Sequence, residues 1–232
     1  MATYLETQYM KDEYSEEAYP QKLYHDILNH LIRHHLGYIQ NKCLLDEGSG
    51  KGNYLVAFSR REMSAFGLDK IKEKNEVLAH FDVRECDFEK GQFPYETNSF
   101  DVVFSKSVIE YVANAGNFLA EIHRVLKPRG LAIVMTPDWV TQAHMFWDDY
   151  THVKPWTRKG LQNAMKIHGF LEVHSTLFRQ LRKFWKFPKL EILADVVASC
   201  PELWKWKDIE QTRHREWIRF SKEKMLLATA VK

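Results

Sequence analysis

The sequence predicts an α/β fold, in which a mostly parallel sheet carries helices on both of its faces. Short apolar segments alternate with amphipathic segments of helical spacing over most of the chain. The first apolar segment runs into a glycine-rich loop, residues 47–52, and the second ends at an acidic residue, Asp69. Strands that alternate with helices connect by right-handed crossovers, and such connections build a parallel sheet that is covered on both sides.

The first forty residues, 1–40, are predicted to form an N-terminal helical cap. Apolar residues recur at helical spacing between Leu23 and Leu36. His30 and His34 share one face of this helix and have the spacing of a metal-binding pair. A metal site is the less favoured interpretation, because a solvated helix face explains these histidines, and we expect no metal in this protein.

Seven strands and four helices are predicted in the core, which covers residues 41–178 and 224–232. The strands are expected at residues 42–46, 63–69, 81–86, 100–105, 131–136, 170–178 and 225–231. The helices are expected at residues 53–61, 71–80, 115–126 and 157–168. The run Lys-Pro-Arg-Gly at residues 127–130 is predicted to end the third helix, and Thr157 is predicted to cap the fourth.

Length and composition fit a soluble protein that forms one large domain or a domain with an insertion. The chain has 232 residues, of which 45% are hydrophobic and 28% are charged, and its formal net charge is +2. Cys43, Cys86 and Cys200 are far apart, which argues against a zinc site or a disulfide framework and suits a reducing compartment. No signal peptide and no apolar run of about 20 residues is visible, so we expect a cytoplasmic protein without membrane insertion.

Residues 179–223 are predicted to form a helical, basic and tryptophan-rich insertion between the last two strands. From residue 179 to residue 224 there are 12 Lys and Arg against 7 Asp and Glu, with tryptophans at positions 185, 204, 206 and 217. Basic charge interleaved with aromatic rings is typical of RNA-binding segments. A substrate lid whose tryptophans pack on the domain is the favoured interpretation, because insertions on a fixed scaffold commonly carry function.

The glycine-rich loop follows the first strand and reads Asp-Glu-Gly-Ser-Gly-Lys-Gly from Asp46 to Gly52. A phosphate-binding P-loop requires Ser or Thr after its Gly-Lys pair, but Gly52 stands there. A dinucleotide fingerprint requires a third glycine where Asn53 stands. Asp69 lies about 20 residues further on, where a carboxylate can accept the ribose hydroxyls of an adenosine. The pattern therefore favours a site for an adenosine-containing ligand.

With these residues the sequence resembles the class I S-adenosylmethionine-dependent methyltransferases, and among them the type 11 group of small-molecule and quinone methyltransferases. The resemblance extends from about residue 43 to about residue 170 and rests on five segments. They are residues 44–52, Asp69, Cys86-Asp87-Phe88, Val108-Ile109-Glu110-Tyr111, and residues 121–130. Two positions depart from the pattern of the group, since Tyr111 stands where histidine is common and Arg129 stands where glycine is commoner.

The resemblance implies a Rossmann-like class I methyltransferase fold, with a mostly parallel seven-stranded sheet and an antiparallel final strand. It also implies S-adenosyl-L-methionine as the cofactor and S-adenosyl-L-homocysteine as the product. The residues that it assigns to cofactor binding lie at the ends of the first four strands: Asp46, Glu47, Gly48, Ser49, Gly50, Gly52, Asp69, Lys70, Asp87, Phe88 and Ser105. In open α/β sheets ligands bind beyond the carboxyl ends of the strands.

Residues 146–157 follow the fifth strand and resemble the Asp-x-Thr-His-x-Arg-Pro-Phe-Thr segment of many group members. We expect this segment to lie over the active site, with His152 as the candidate general base and Asp148 and Asp149 as its partners. A neutral histidine suits the removal of a hydroxyl proton near pH 7. The alternative is that His152 bonds to backbone and only supports the loop. The candidate substrate-binding residues are Lys106, Tyr111, Trp147 and Tyr150.

The favoured function is O-methylation of a small metabolite or a carbohydrate-like acceptor. Ser105-Lys106-Ser107 stands where enzymes that methylate nucleobase amines carry Asn/Asp-Pro-Pro-Tyr, and the chain has no Pro-Cys nucleophile for pyrimidine C5 methylation. An RNA methyltransferase that uses the basic insertion is the second hypothesis, with nucleic acid the less favoured partner. A cofactor-binding protein without catalysis is the third. The sequence leaves the acceptor atom and the oligomeric state open.

Overall fold

The computed structural model describes residues 21–70, 76–180, 184–185, 187, 189–199 and 221–232. A seven-stranded sheet lies at its centre. In chain order its strands are β1 (Cys43–Glu47), β2 (Ser64–Asp69), β3 (Val83–Glu85), β4 (Phe100–Lys106), β5 (Leu126–Pro137), β6 (Leu171–Arg179) and β7 (Lys224–Val231). Across the sheet they follow the order β3-β2-β1-β4-β5-β7-β6.

The strands pair in parallel except at β7. β1 pairs in parallel with β2 and β4, β2 with β3, and β4 with β5. β7 runs antiparallel to both of its neighbours, β5 and β6. The predicted sheet with its antiparallel final strand is therefore confirmed. The strand order reverses direction between β1 and β4, so the carboxyl ends of these two strands flank the switch point at which ligands bind in such sheets.

Helices flank the sheet on both faces. They are α1 (Gln21–Leu31), α2 (Asn53–Ser59), α3 (Ala115–Val125), α4 (Trp139–Gln142), α5 (Arg158–Ile167) and α6 (Lys189–Ala198). α1 continues into a π-helical turn at Ile32–Leu36, and single 3₁₀ turns occur at Leu78–His80, Ile109–Tyr111 and Phe146–Asp148. Thr157 caps α5 as predicted, because its hydroxyl oxygen accepts the Gly160 N–H at 3.1 Å.

The sheet separates two hydrophobic cores. Val103 of β4 packs into the core that α3 and α5 close, whereas Val102 and Phe104 pack into the core that α1 and α2 close. This alternation follows from the two-residue repeat of a strand. α1 buries its apolar stripe in the second core, so the described part of the predicted N-terminal cap packs against the sheet, while residues 1–20 lie outside the described part.

The predicted helix stop at residues 127–130 lies inside a strand. α3 ends at Val125, and β5 begins at the next residue. The run pairs with the last residue, since the Arg129 N–H donates to the Lys232 carbonyl and the Lys232 N–H donates to that of Gly130. Arg129 has a φ of 64°, a conformation that glycine adopts most readily, and it stands where the resembling group commonly has glycine. α3 thus ends directly before this run, as predicted, but the run continues into β5 instead of forming a separate turn.

The predicted helix at residues 71–80 is described only in part. Residues 71–75 lie outside the described residues, and Leu78–His80 forms a single 3₁₀ turn. Leu78 is buried in a small cluster with Leu55 and Val83. One turn is enough to bring this side chain against the backbone of Gly52.

Candidate cofactor and acceptor site

The glycine-rich loop leaves β1 at the centre of the sheet and turns at once into α2. Gly48, Gly50 and Gly52 have positive φ angles of 75°, 48° and 83°, a conformation that glycine adopts without steric cost. The Gly48 N–H donates to the Leu68 carbonyl at 2.7 Å, which holds the loop against the end of β2. The glycines therefore permit the backbone path of this loop.

Gly48 also lacks room for a side chain. A Cβ atom at this position would lie 2.2 Å from Cγ2 of Val108, in the segment that follows β4. A Cβ atom at Gly50 would meet no atom of the described residues within 4 Å. The two glycines share the same backbone region but differ in their steric surroundings.

Gly48→Ala is expected to lower the free energy of unfolding by about 2–4 kcal/mol, because left-handed strain adds to overpacking against Val108. Gly50→Ala is the matched control and is expected to lose only the strain, about 1–2 kcal/mol. Chemical denaturation measures both variants. Adding Val108→Ala should recover part of the loss in the Gly48 variant and none in the Gly50 variant. Equal losses in the two single variants would contradict the clash.

Asp69 ends β2 and reaches back to the glycine-rich loop. Its Oδ2 accepts the Gly50 N–H at 2.8 Å. Each carboxylate oxygen can accept more than one hydrogen bond, so the same group can hold the loop and accept ligand hydroxyls. Lys70, the next residue, is exposed.

Asp46 and Glu47 are buried acids at the end of β1, with exposed fractions of 2% and 0%. Among the described residues Asp46 Oδ2 has no hydrogen-bond partner. Burial and, to a lesser extent, the charge of Asp69 raise the pKa of Asp46 to about 8, against the opposing charge of Lys106. Burial also raises the pKa of Glu47 well above its usual range. The neighbouring Ser105 hydroxyl opposes this rise, although no described residue makes a hydrogen bond of ordinary geometry to Glu47.

Two hydroxyl groups complete this set of buried polar atoms. Oγ of Ser49 and Oγ of Ser105 have no hydrogen-bond partner in the part of the chain that the structure describes. Buried polar atoms without partners are costly unless a ligand supplies the missing hydrogen bonds. A cationic amino group suits the carboxyl of Asp46 in this way, and the glycine backbone permits a ligand to approach closely. These residues therefore fit the amino-acid part of S-adenosylmethionine.

The loop after β3 carries two further predicted cofactor residues. Asp87 is exposed, and its Oδ1 accepts the Glu89 N–H at 3.1 Å. Phe88 is buried, and its ring packs edge-on against Phe93 and Phe118. The Phe88 ring thus belongs to the core, so a ligand in the cleft would meet the backbone of this residue rather than its ring.

On the acceptor side, three side chains meet beyond the ends of β4 and β5. The Tyr111 hydroxyl donates to Asp149 Oδ2 at 3.1 Å, although the two residues are 38 positions apart. The same oxygen lies 3.9 Å from His152 Nε2, and the His152 ring lies 4.7 Å from that of Tyr111. The amide and hydroxyl of Thr151 donate to Asp149 Oδ1 at 3.0 and 2.5 Å. We call this the Tyr111–Asp149–His152 cluster.

The hydrogen bonds of the cluster define where its protons lie. His152 Nδ1 lies 2.6 Å from the Phe146 carbonyl, and a carbonyl only accepts, so Nδ1 carries the proton in the neutral ring. Nε2 then presents its lone pair beside Asp149. Burial raises the pKa of Asp149, but the two hydrogen bonds from Thr151, with His152 and Tyr111, outweigh it and hold the pKa below its usual range. The cluster thus combines a carboxylate with a basic imidazole nitrogen.

The other predicted acceptor residues lie at the edge of the cluster. Asp149, and not the exposed Asp148, faces His152. Trp147 and Tyr150 are 53% and 81% exposed. An open aromatic rim therefore borders the cluster.

Glu110 is a buried acid that sequence reasoning placed in a motif but not in the site. It is 1% exposed, and its Oε2 accepts a hydrogen bond from the Thr136 hydroxyl at 2.8 Å. Burial raises its pKa to about 7, partly opposed by Thr136 and Lys106, and the charge of Asp149 adds to the rise. Burial lowers the pKa of Lys106 to about 8, against the charges of Glu110 and Asp46. The available signal was a glutamate inside the apolar run Val-Ile-Glu-Tyr-Val, because glutamate is almost never fully buried without a partner.

The described residues also bear on the metal, membrane and insertion predictions. Among them no helix is long and apolar enough to cross a membrane, and no group of three or more His, Cys, Asp and Glu side chains could hold a metal ion. The rings of His30 and His34 lie 4.5 Å apart.

Trp185 of the predicted insertion stacks on Phe178, while Cys200 and the tryptophans at positions 204, 206 and 217 lie outside the described residues. The lid and RNA interpretations stay predictions.

Comparison with known proteins identifies the class of this domain. Residues 45–134 match the family model described as "Methyltransferase domain". The match includes the glycine-rich loop, Asp69 and the turn after β4. Over residues 45–134 the chain therefore matches the class I S-adenosylmethionine-dependent methyltransferases of the type 11 group, and S-adenosylmethionine is the cofactor of that family.

Two curated relatives show how much of the chain is shared. The biotin biosynthesis bifunctional protein BioHC of Cellvibrio japonicus is 29% identical over 135 residues, which are 54% of this chain and 27% of that protein. An uncharacterized methyltransferase of Schizosaccharomyces pombe is 27% identical over 190 residues, which are 75% of this chain and 64% of that protein. The chain thus spans less than two thirds of the length of these relatives.

A solved structure supports the same fold. The S-adenosylmethionine-dependent methyltransferase from Archaeoglobus fulgidus aligns over 97% of this chain and 100% of that chain, with a TM-score of 0.65 and 17% identity. At this identity the likeness concerns the fold alone. The predicted Rossmann-like methyltransferase fold is confirmed.

Proposed function

We propose that this chain methylates an oxygen atom of a small acceptor, with S-adenosylmethionine as the methyl donor. The observation that carries the proposal is the Tyr111–Asp149–His152 cluster, in which the imidazole Nε2 lies 3.9 Å from a carboxylate oxygen of Asp149. In its neutral form an imidazole can take the proton of an acceptor hydroxyl, and the carboxylate stabilises the imidazolium that forms.

The cofactor, when bound, supplies an activated methyl group whose transfer is an in-line displacement that depends mainly on positioning. The work of the chain is therefore to bind, orient and deprotonate the acceptor. Asp46 and Asp69 are the candidates to hold the amino group and the ribose of the cofactor. His152 would accept the hydroxyl proton at Nε2, and Tyr111 would keep the Asp149 carboxylate in place through its hydrogen bond.

The surroundings of the cluster favour a neutral, ring-shaped acceptor. The exposed rings of Trp147 and Tyr150 offer flat apolar faces, against which sugars and other rings pack. Near the cluster, the acids Glu110 and Asp149 outnumber the base Lys106, so the local potential disfavours an anionic acceptor. A hydroxylated, carbohydrate-like molecule fits both features.

A methyl-transfer screen with cofactor labelled in its methyl group tests the proposal. Pools of neutral hydroxylated metabolites, carboxylic acids, amines and RNA are incubated separately with the protein. We expect label in the hydroxylated pool, and its loss in His152→Ala. Label in the RNA pool alone would replace the proposal by the RNA hypothesis. No label in any pool, with normal cofactor binding, would identify a non-catalytic cofactor-binding protein.

Asp69→Ala is expected to weaken cofactor binding by about 1.5–3 kcal/mol, the range for hydrogen bonds that involve a charged group. The variant also releases the Gly50 N–H from its partner. Asp69→Asn can still accept that N–H but lacks the negative charge. Comparing the two variants therefore separates the effect of the loop hydrogen bond on cofactor affinity from the effect of the charge. Asp82→Ala, at an exposed acid that pairs with Arg84, is the control and should leave affinity unchanged. Titration calorimetry measures all three, and an unchanged affinity in Asp69→Ala would remove Asp69 from the site.

A further inference from the structure

Glu110 lies at the centre of the 3₁₀ turn Ile109–Tyr111, which connects β4 to the segment before α3. Its main-chain carbonyl accepts two hydrogen bonds from the loop that carries His152. The Val153 N–H donates to it at 2.9 Å, and the Lys154 N–H donates at 3.1 Å. The two residues that follow His152 therefore hydrogen-bond directly to the main chain of Glu110.

Both neighbours of Glu110 bond to the same part of the chain. The Ile109 carbonyl accepts the Trp156 Nε1–H at 3.3 Å, and the Tyr111 hydroxyl donates to Asp149 at 3.1 Å. Three consecutive residues of one turn thus hold residues 149–156, which we call the acceptor loop. The turn therefore holds the chain on both sides of His152.

The carboxylate of Glu110 fixes the turn to the sheet. Its Oε2 accepts the hydroxyl hydrogen of Thr136, which lies near the end of β5 and is fully buried. A buried glutamate would be unfavourable without such a partner. On the other side of the turn, Val108 packs against Gly48 of the glycine-rich loop. The turn therefore lies between the glycine-rich loop and the acceptor loop, and the Glu110 side chain anchors it to β5.

We propose that Glu110 is a positioning residue of the acceptor site: its carboxylate, bonded to Thr136, holds the 109–111 turn where the turn can set the acceptor loop and His152. The proposal rests on the proposed function, because the place of His152 matters only if His152 acts on the acceptor. Glu110 itself is not assigned any contact with the acceptor or the cofactor.

The test compares variants in the whole protein by readouts that need no acceptor. Glu110→Ala removes the anchor. Glu110→Gln keeps an oxygen that can accept the Thr136 hydroxyl hydrogen. Glu121→Ala is the matched control. Glu121, on α3, is another largely buried glutamate, and its carboxylate accepts the backbone N–H of Phe93 at 2.7 Å. The readouts are amide hydrogen exchange at Val153 and Lys154, and the ¹⁵N NMR signal of the His152 Nδ1–H.

In Glu110→Ala we expect exchange at Val153 and Lys154 to accelerate by at least about tenfold, with loss of the distinct His152 Nδ1–H signal, since the loop opens locally. Glu110→Gln should restore both readouts, and Glu121→Ala should leave both as in the wild type. Unchanged readouts in a folded Glu110→Ala variant would overturn the proposal. So would the same changes in Glu121→Ala, or a failure of Glu110→Gln to restore them.

If Glu110→Ala does not fold, Thr136→Val decides, because it keeps Glu110 and removes the hydroxyl that donates to its carboxylate. Faster exchange at the same two amides supports the anchor, and unchanged exchange overturns it. Cofactor affinity is measured on each variant in parallel. If the protein binds cofactor but methylates nothing, the proposed function is refuted. The hydrogen-exchange measurements would still test whether Glu110 positions the acceptor loop.

Discussion

Replacing Asp46 by asparagine is expected to stabilise the cofactor-free protein, although it removes a charged group from the cofactor site. The Asp46 carboxyl is buried, and its pKa rises from 3.8 to about 8. A carboxyl whose pKa is higher in the folded than in the unfolded chain binds its proton more tightly when folded. The free energy of unfolding therefore falls as the pH rises from about 4 to about 8, and asparagine removes this loss.

Near pH 8 we expect Asp46→Asn to exceed the wild type in stability by about 1–3 kcal/mol, with a smaller gain near pH 6. Urea denaturation without cofactor measures the difference. Asp101→Asn is a control of opposite sign: burial raises the pKa of Asp101, but hydrogen bonds from Lys127 and the Cys43 N–H hold it below its usual range. That variant should be destabilised. An Asp46 variant that is less stable than the wild type at both pH values would contradict the expected linkage.

Cofactor binding by the same Asp46 variant should change in the opposite direction. A cationic amino group favours ionised Asp46, so binding below pH 8 requires this carboxyl to lose its proton. The wild-type affinity should rise by up to about tenfold per pH unit below pH 8. In Asp46→Asn we expect a flatter pH profile and an affinity lower by about 1.5–3 kcal/mol. Calorimetry near pH 6 and pH 8 decides, and an unchanged profile would place Asp46 outside the site.

His152→Ala is expected to reduce turnover by roughly 10²–10⁴, the usual contribution of a general base. Cofactor affinity should stay nearly unchanged, because the candidate cofactor residues lie at the ends of β1 to β4, whereas His152 lies on the loop after β5. The acidic limb of the pH–rate profile should disappear as well, since only a neutral imidazole can accept a proton. Steady-state kinetics on the acceptor found by the methyl-transfer screen, together with calorimetry, measure these effects.

The control for His152 is His174→Ala, at an exposed histidine of β6. It should leave both turnover and the pH profile as in the wild type. If His152 only supports its loop, His152→Ala will instead lower thermal stability or raise KM, with the pH profile intact. The hydrogen bond from Nδ1 to the Phe146 carbonyl serves either role, so the pH profile is the measurement that separates them.

The glycine-rich loop and Asp69, the candidate cofactor half of the site, could be located from the sequence because their determinants are local. The glycines between Asp46 and Asn53 follow one strand directly, and their positive φ angles belong to the loop itself. Asp69 ends the next strand, and parallel neighbours bring their carboxyl ends to the same edge. The hydrogen bond between Asp69 and Gly50 is a consequence of that arrangement.

The acceptor half could be predicted only in outline, because its contacts join distant segments. Asp148 and Asp149 are equivalent in the sequence, yet the Tyr111 hydroxyl and Thr151 hold Asp149 and leave Asp148 exposed. Tyr111 is predicted to bind substrate from its place after β4, and only the structure shows that its hydroxyl donates to the carboxylate beside His152. No periodicity or motif specifies which of two adjacent side chains turns inward.

The sequence by itself determined the order of the strands, the class of the domain and the candidate cofactor loop, because apolar spacing and glycine positions act over a few residues. Only the tertiary structure decided which acids are buried and what they face. Asp46 and Glu110 acquire raised pKa values from desolvation and from charges on other strands and loops. Such shifts depend on distances between groups that the chain brings together only on folding.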